Sequence, residues 1–290
     1  MKTKMLSRKL AAVLVVGFVL TVSQVGFGSL IWLDTYDVSS RSYDINFERS
    51  SRQSGTVGTL RYRERYNTES PGPLGFTGGD QDFWTQVASS SAAPGKLILH
   101  SDDGRESHHK YTWVGPMHGF TEATSLSIEV SMDPVIGDTT STYWAALAIG
   151  RAGNEQGASV ANAGICLLLR SNGDWQFFDN GPTGISDSLG VRAGEVDVRL
   201  DISLASWGSR ATIDLYLDGV QQDLNGAAAG NSYTTAGNVV TNNISLLANG
   251  GGEYGATHHF DNLSVSIVPE PATMSLLGIG GLLALVRRRR

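Results

Sequence analysis

The sequence contains very little cysteine: Cys166 is the only one in 290 residues. An intrachain disulfide is therefore excluded, and the fold must be stabilised by packing or by a bound metal rather than by covalent cross-links. Cys166 lies in the apolar run 165–169, so a buried, inert thiol is expected there rather than a nucleophile.

The chain also lacks the spaced ligand motifs that hold transition metals. The histidines that stand close together in the sequence are His108, His109, His118, His258 and His259. They have no cysteine partners and no His-Glu-x-x-His spacing. Adjacent histidines in a strand point to opposite faces, so only one of each pair can join a given site. We therefore expect surface histidines.

A helical period is missing from the middle of the chain, where no segment of about 12 or more residues repeats apolar residues every 3.6 positions. Residues 125–132, 196–204 and 211–217 instead alternate apolar and polar side chains, which is typical of strands with one dry face. Asp218-Gly219 then predicts a hairpin turn. Further strands are predicted at 143–149, 165–170, 175–178, 244–248 and 260–267, and an edge strand at 60–67. Clusters of Gly, Asn, Asp and Ser separate the strands, so we predict an all-β antiparallel sandwich or jelly roll.

The N-terminal end has the layout of a signal peptide. Four basic residues within 1–9 precede the apolar run 10–22, and Gly26-Phe27-Gly28 offers small residues for cleavage. About 13 apolar residues are short for a retained membrane anchor, which needs about 20. We predict a signal peptide over residues 1–28 that signal peptidase removes.

The C-terminal end combines a Pro269-Glu270-Pro271 box, the apolar stretch 272–286 and the arginines Arg287, Arg288, Arg289 and Arg290. Arginines are retained on the cytoplasmic side, and the apolar stretch, predicted as a transmembrane helix, stops translocation with the preceding domain outside. The prolines keep the box extended and accessible to a peptidase. Residues 268–290 resemble the PEP-CTERM sorting signal. The resemblance implies an exosortase-type enzyme that cuts near the box; the alternative is an ordinary C-terminal anchor.

The region between the two ends has few basic residues. It keeps 14 of the 22 basic and 27 of the 28 acidic residues, which gives a formal net charge of −13. Nucleic acid is a poor partner for such a surface. Carboxylates can recruit Ca²⁺ outside the cytoplasm, and the charge keeps an exported protein soluble.

Three strand sequences in this region resemble a second group of proteins. They are Val-Asp-Val-Arg-Leu-Asp at 196–201, Ile-Asp-Leu-Tyr-Leu-Asp-Gly at 213–219 and His-Phe-Asp-Asn-Leu-Ser-Val at 259–265. Together they resemble the concanavalin A-like, laminin G-like jelly rolls, and exported bacterial sandwiches in which an opening segment such as 34–37 pairs with the closing strand. The resemblance implies a jelly roll and carbohydrate binding, although a fold alone does not establish a function.

A cluster of acids raises an enzymatic alternative. Glu195, Asp197 and Asp201 lie on one face of a predicted strand, and paired carboxylates on a sheet are the usual machinery of glycosidases. Arg199 intervenes, however, and the third acid departs from the spacing of the glycosidases that the fold resembles. The other interpretation is the solvent-facing half of an amphipathic strand.

Hard oxygen donors at both ends of the domain favour a structural calcium ion. Asp34 or Asp37 would meet Asp261 and Asn262 if the first and last strands pair. For ligand binding, Trp207 is expected on a loop between two strands and Trp113 lies near the histidines, so these two are the candidate stacking platforms for sugar rings. Most other tryptophans are expected in the core.

We therefore predict a signal peptide (1–28), one jelly-roll domain (29–267) and a sorting signal (268–290). The leading functional prediction is a non-catalytic exported protein of the cell surface or extracellular matrix that binds glycan or exopolysaccharide. A glycan-active enzyme and a structural matrix protein without a specific ligand remain open as alternatives.

Overall fold

Nearly all of the regular structure is β-strand in the computed structural model, which describes residues 29–42, 44–66, 83–88, 95–101, 112–116, 124–134, 144–150, 163–190, 194–226, 230–239, 243–249 and 257–268. The first elements are β1 (Ser29–Asp34), α1 (Arg49–Arg52), β2 (Gln53–Ser54), β3 (Tyr62–Tyr66), β4 (Phe83–Ala88), β5 (Lys96–Ser101), β6 (Thr112–Pro116), β7 (Ser125–Asp133) and β8 (Trp144–Ile149). They are followed by β9 (Ile165–Arg170), β10 (Asp174–Phe178), β11 (Pro182–Ser188), β12 (Val196–Leu204), β13 (Ala211–Leu217), β14 (Val220–Gln221), β15 (Tyr233–Thr234), β16 (Ile244–Asn249) and β17 (Thr257–Ile267).

The strands form two sheets. The larger sheet, sheet A, has the order β14-β13-β12-β7-β17-β1-β2, with β15 beside β13 and the β4–β5 hairpin beside β17. Sheet B has the order β11-β10-β9-β8-β16-β6-β3. The first strand and the last are neighbours in sheet A, and antiparallel pairs such as β12–β13, β7–β17 and β8–β9 build both sheets. The predicted antiparallel sandwich is confirmed.

The core lies between the sheets, and the alternation of the sequence decides which side chains enter it. In β12 the odd-numbered acids and Arg199 stay at the surface while Val198, Leu200 and Ile202 are almost fully buried. Ile213 and Leu215 of β13 are buried in the same way. Burying each such side chain stabilises the fold by about 1.5–3 kcal/mol. Trp32 and Trp175 also lie in this core, as expected for most tryptophans.

Sheet B is apolar on its second face as well. Ala146, Ala148, Cys166, Leu168 and Leu247 form a separate buried cluster there. This explains why β8, β9 and β16 read as almost continuous apolar runs rather than as alternating ones. Burial raises the pKa of the Cys166 thiol, so the thiol stays protonated and inert, as expected.

Strand bounds agree closely with the alternating patterns. β12, β13 and β9 match the predicted ranges, the Asp218-Gly219 turn joins β13 to β14, and β3 is an edge strand of sheet B. The last strand differs, since it begins at Thr257 rather than at residue 260. In the described part of the chain no helix is long and apolar enough to span a membrane.

The earlier start of β17 brings two histidines that were predicted to lie at the surface, His258 and His259, into the strand. His258 is fully buried and His259 is 6% exposed, because β17 continues its pairing with β5 through both residues. The prediction of surface histidines is therefore wrong at these two positions. Burial, and then the charge of Lys96, lowers the pKa of His259 to about 4, so its ring is neutral at neutral pH.

Candidate functional site

Three loops meet at one end of the sandwich. They follow β10 (residues 179–181), join β12 to β13 (205–210) and lead from β15 towards β16 (235–239); we call them together the loop end. The Gly208 amide donates to the Val239 carbonyl at 2.8 Å, and the Val239 amide donates to the Ser209 carbonyl at 2.8 Å. These two bonds hold the second loop against the third.

Asp179 joins the first loop to the third. Its Oδ2 accepts a hydrogen bond from the Tyr233 hydroxyl at 3.1 Å and another from the backbone amide of Ala236. Its Oδ1 accepts from the side-chain amide of Asn180 at 3.2 Å. One carboxylate therefore connects sheet B to sheet A at this end, and such bonds to a charged acceptor are stronger than neutral ones.

Two aromatic side chains lie within the loop end. Trp207 is half-buried and packs against the main core, and Tyr233 contacts Phe177 edge to face with ring centroids 5.4 Å apart. Burial, and then the neighbouring Asp179 carboxylate, raises the pKa of the Tyr233 hydroxyl. The hydroxyl is therefore held as a donor to Asp179. Asn180 and Asn238 are exposed in the first and third of these loops.

The structure places the second predicted platform, Trp113, in β6 of sheet B, directly opposite Leu247 of β16. Trp207 follows β12 of sheet A. The two tryptophans therefore belong to different sheets, and only Trp207 lies in the loop end.

The three acids of the enzymatic alternative lie on the outer face of sheet A, and each has its own partner. Glu195 forms an ion pair with Lys96, Asp197 accepts a hydrogen bond from Ser131 at 2.6 Å, and Asp201 accepts one from Ser127 at 2.6 Å. The guanidinium of Arg199 stacks on Tyr216 at 3.7 Å from the ring centroid, between Asp197 and Asp201. This is the solvent-facing half of a strand, with the acids separated along it.

Asp34, one of the predicted calcium ligands, has a different role. Its carboxylate is completely buried and is bound by Arg52, whose Nε lies 2.9 Å from Oδ1 and 3.2 Å from Oδ2. Gln53 donates to Oδ2 at 2.7 Å and the Tyr36 amide donates to Oδ1 at 2.9 Å. A cation at Asp34 would face the guanidinium directly, so this residue is corrected from a calcium ligand to a member of a buried ion pair.

Arg52 completes the buried network around Asp34. It donates to the carbonyls of Ile45 and Phe47, and its Cζ lies 5.7 Å and 5.9 Å from the ring centroids of Tyr36 and Tyr62. The two tyrosine hydroxyls are 3.0 Å apart. We call Asp34, Tyr36, Arg52, Gln53 and Tyr62 the arginine network. Sequence reasoning missed it because nothing local marks Arg52 as buried.

Asp37 and Asp261, the other predicted calcium ligands, lie in a shared environment. Burial raises the pKa of Asp261 to about 6, and the nearby charges of Glu195 and Asp37 add to this effect. Gly95 approaches Asp37 so closely that a Cβ there would lie 2.1 Å from Asp37 Oδ1. Asn262 has a left-handed φ of 53° at the bulge of β17, and its backbone amide donates to Asp261 Oδ1 at 2.7 Å.

This environment offers hard oxygen donors of the kind that calcium prefers. In the described ranges no group of three or more His, Cys, Asp or Glu side chains is placed to hold a metal. A cation here would therefore depend on backbone carbonyls and water in addition to Asp37 and Asp261.

Of the predicted sorting residues, Pro269, Glu270, Pro271 and the arginines 287–290 lie outside the described residues, as does the predicted apolar helix. The family described as the PEP-CTERM protein-sorting motif matches residues 268–290. None of the curated proteins matches the sequence.

Several solved structures are similar to this chain at low sequence identity. The endo-1,3-beta-glucanase of Streptomyces sioyaensis is 15% identical with a TM-score of 0.51, over 85% of this chain and 99% of that chain. The Emp47p carbohydrate recognition domain is 12% identical with a TM-score of 0.46, over 80% and 99%. The Ca²⁺/Man2-bound VIP36 exoplasmic/lumenal domain is 13% identical with a TM-score of 0.42, over 85% and 91%.

At these identities the likeness concerns the fold and not the activity. The folded part of this chain is an antiparallel jelly-roll β-sandwich. Its C-terminal residues carry a PEP-CTERM sorting motif, which indicates export and processing by an exosortase-type enzyme.

Proposed function

We propose that this exported protein is a non-catalytic glycan-binding protein of the cell surface or extracellular matrix, and that it binds its ligand at the loop end. The observation that carries the proposal is the bracing of three loops from both sheets: Asp179 joins the first loop to the third, and backbone hydrogen bonds between Gly208, Ser209 and Val239 hold the loop of Trp207 against the third. Aromatic faces stack on the apolar faces of sugar rings, and neighbouring amides bond their hydroxyls. A braced site loses little conformational entropy on binding.

The outer face of sheet A supports the non-catalytic part of the proposal. Hydrolysis of a glycosidic bond needs two carboxyl groups that converge on one bond, about 5–9 Å apart. Glu195, Asp197 and Asp201 are instead each bound to a separate partner, which are Lys96, Ser131 and Ser127 respectively. The similarity of fold to a glucanase leaves hydrolysis as an outcome that the experiment must include.

The test is binding of the secreted domain, residues 29–268, to a glycan array and to purified exopolysaccharides. Trp207→Ala should reduce affinity about 5- to 150-fold, since loss of one stacking ring costs about 1–3 kcal/mol in comparable contacts. The matched control is Tyr216→Ala, which removes a half-buried aromatic ring from the outer face of sheet A. The control variant should bind like the parent.

Three other results would contradict the proposal. Binding that is lost in Tyr216→Ala but kept in Trp207→Ala would move the site to the outer face of sheet A. Release of reducing ends that stops in Asp197→Asn would favour the enzyme. Binding to no glycan would favour the structural matrix protein.

We also propose that one structural Ca²⁺ binds beside Asp37 and Asp261 and joins the β1 end of the domain to β17. A cation there would neutralise two acids whose mutual repulsion contributes to the raised pKa of Asp261. Calcium should raise the Tm of the parent domain and not of Asp261→Asn, with Asp197→Asn as the matched acidic control. An equal calcium effect in all three proteins would refute this site.

A further inference from the structure

The last strand of the domain ends beside the loop end. In β17, Ile267 lies opposite Leu126 of β7, and Leu126 lies opposite Ile202 of β12. Two residues later β12 ends at Leu204, and the loop that carries Trp207 begins. Neighbouring strands are about 4.8 Å apart, so about 10 Å across the sheet separates the end of β17 from the end of β12.

Very little chain follows β17 before the sorting segment. The apolar stretch begins at Ala272, five residues after Ile267. Fully extended chain spans at most about 3.6 Å per residue, so this connection reaches about 18 Å at most. While the chain is intact, the end of sheet A that holds Ile267 must therefore stay within about 18 Å of the apolar boundary of the membrane.

The two ends of sheet A also differ in charge. The opposite end, where β7 finishes and β12 starts, carries Asp133, Glu195, Asp197 and Asp218, of which only Glu195 is paired with a lysine, Lys96, in the described residues. The loops 205–210 and 235–239 contain no acidic residue, and they include Arg210 and Trp207. Asp179, the one acid of the loop end, is bound to Tyr233 and Ala236. Anionic headgroups therefore repel the loop end much less than the opposite end.

From the strand register and this charge distribution we infer that the membrane surface covers the loop end until the chain is cut near Pro269-Glu270-Pro271. Processing then does more than free the protein, because it exposes the Trp207 surface to ligand. The covering of the loop end rests on the strand register, the short connection, the charge distribution and a membrane-inserted sorting segment, and not on glycan binding. Only the gain of glycan binding after processing rests on the proposed function.

The test compares two full-length chains in nanodiscs of phosphatidylcholine and phosphatidylglycerol: the native chain and one with a flexible Gly/Ser spacer of about 20 residues after Val268. Such a spacer adds about 25 Å of root-mean-square reach. Each chain carries either Ser206→Cys in the loop end or Val220→Cys at the opposite end, where Val220 is 63% exposed. Cys166 is buried and provides little background. The readout is the rate of labelling by a bulky maleimide-PEG.

The Ser206→Cys thiol should react at least about tenfold more slowly in the native chain than in the spacer chain, while Val220→Cys reacts equally fast in both. Equal rates for Ser206→Cys in the two chains would overturn the inference. Equal slowing of both thiols would overturn it too, since it would mean that the disc hinders labelling everywhere.

Glycan binding by the same four proteins separates the two proposals. Protection of Ser206→Cys with no glycan binding in the spacer chain would refute the proposed function and leave the covered loop end standing. Binding that is equal in native and spacer chains, together with equal labelling, would refute the covering and support the glycan site.

Discussion

Removing the guanidinium of Arg52 tests the arginine network most directly. In Arg52→Met the side chain keeps a similar length, but the buried Asp34 carboxylate loses its counter-ion and the carbonyls of Ile45 and Phe47 lose a donor. Breaking a buried ion pair by deleting one partner costs about 3–5 kcal/mol. This is a large share of the roughly 5–15 kcal/mol that stabilises a typical domain. For a domain of this size the Tm should fall by about 6–20 °C.

A double variant distinguishes the effect of the unpaired Asp34 charge from a simple loss of packing. An asparagine in place of Asp34 carries no charge and keeps one carbonyl oxygen that can accept the bond from the Tyr36 amide, although the bond from Gln53 to the second oxygen is lost. Arg52→Met combined with Asp34→Asn should therefore be more stable than Arg52→Met alone, as measured by urea denaturation of all four proteins in the cycle. A cost below about 1 kcal/mol for Arg52→Met, or additive effects in the cycle, would refute the reasoning.

The remaining predictions concern pH and one tight turn. The pKa of His259 in the folded state is about 4, below its unfolded value, so this residue lowers the free energy of unfolding as the pH falls from about 6.5 to 4. The pKa of Asp261 in the folded state is about 6, above its unfolded value, so this residue raises the free energy of unfolding as the pH falls from about 6 to 4. Urea denaturation midpoints should be measured at about pH 7 and 4.5. The midpoint should fall more between these two pH values in Asp261→Asn than in the parent, and less in His259→Gln than in the parent; the reverse order would contradict both assignments. Gly173→Ala should cost more stability than Gly184→Ala, because both have positive φ but only at Gly173 would a Cβ lie 2.0 Å from a backbone oxygen, that of Gly190. Equal losses of stability would show that the turn can shift.

Much of the fold was predictable because it depends on alternation, which is local. The strands β12 and β13 match their predicted bounds, since one face of each is buried and the other is not. The start of β17 was missed for a physical reason: a neutral imidazole can be buried in a sheet, whereas a sequence pattern treats histidine as polar. The pairing of the first and last strands was expected from the resemblance of segments 34–37 and 259–265 to sandwiches in which such segments pair, although Asp34 itself faces Arg52.

The loop end was only partly predictable. Trp207 was found because it lies between two clear strands. Asp179 and Tyr233 were not, since they are 54 residues apart and meet only when β10 and β15 belong to facing sheets. The Asn180-Gly181-Pro182 turn was the one local signal, and it marks a change of direction without saying what the turn contacts.

The acidic residues show that residue type alone does not predict which side chains belong to a site. Asp34, Asp179 and Asp261 are chemically identical, yet a buried guanidinium binds the first, a tyrosine hydroxyl and a backbone amide bind the second, and burial near Asp37 leaves the third with a raised pKa. Each outcome depends on a partner that is distant in sequence. A cation is attracted where acids are close together and have no guanidinium between them. Among the acids that the sequence predicted as calcium ligands, only Asp37 and Asp261 meet this condition.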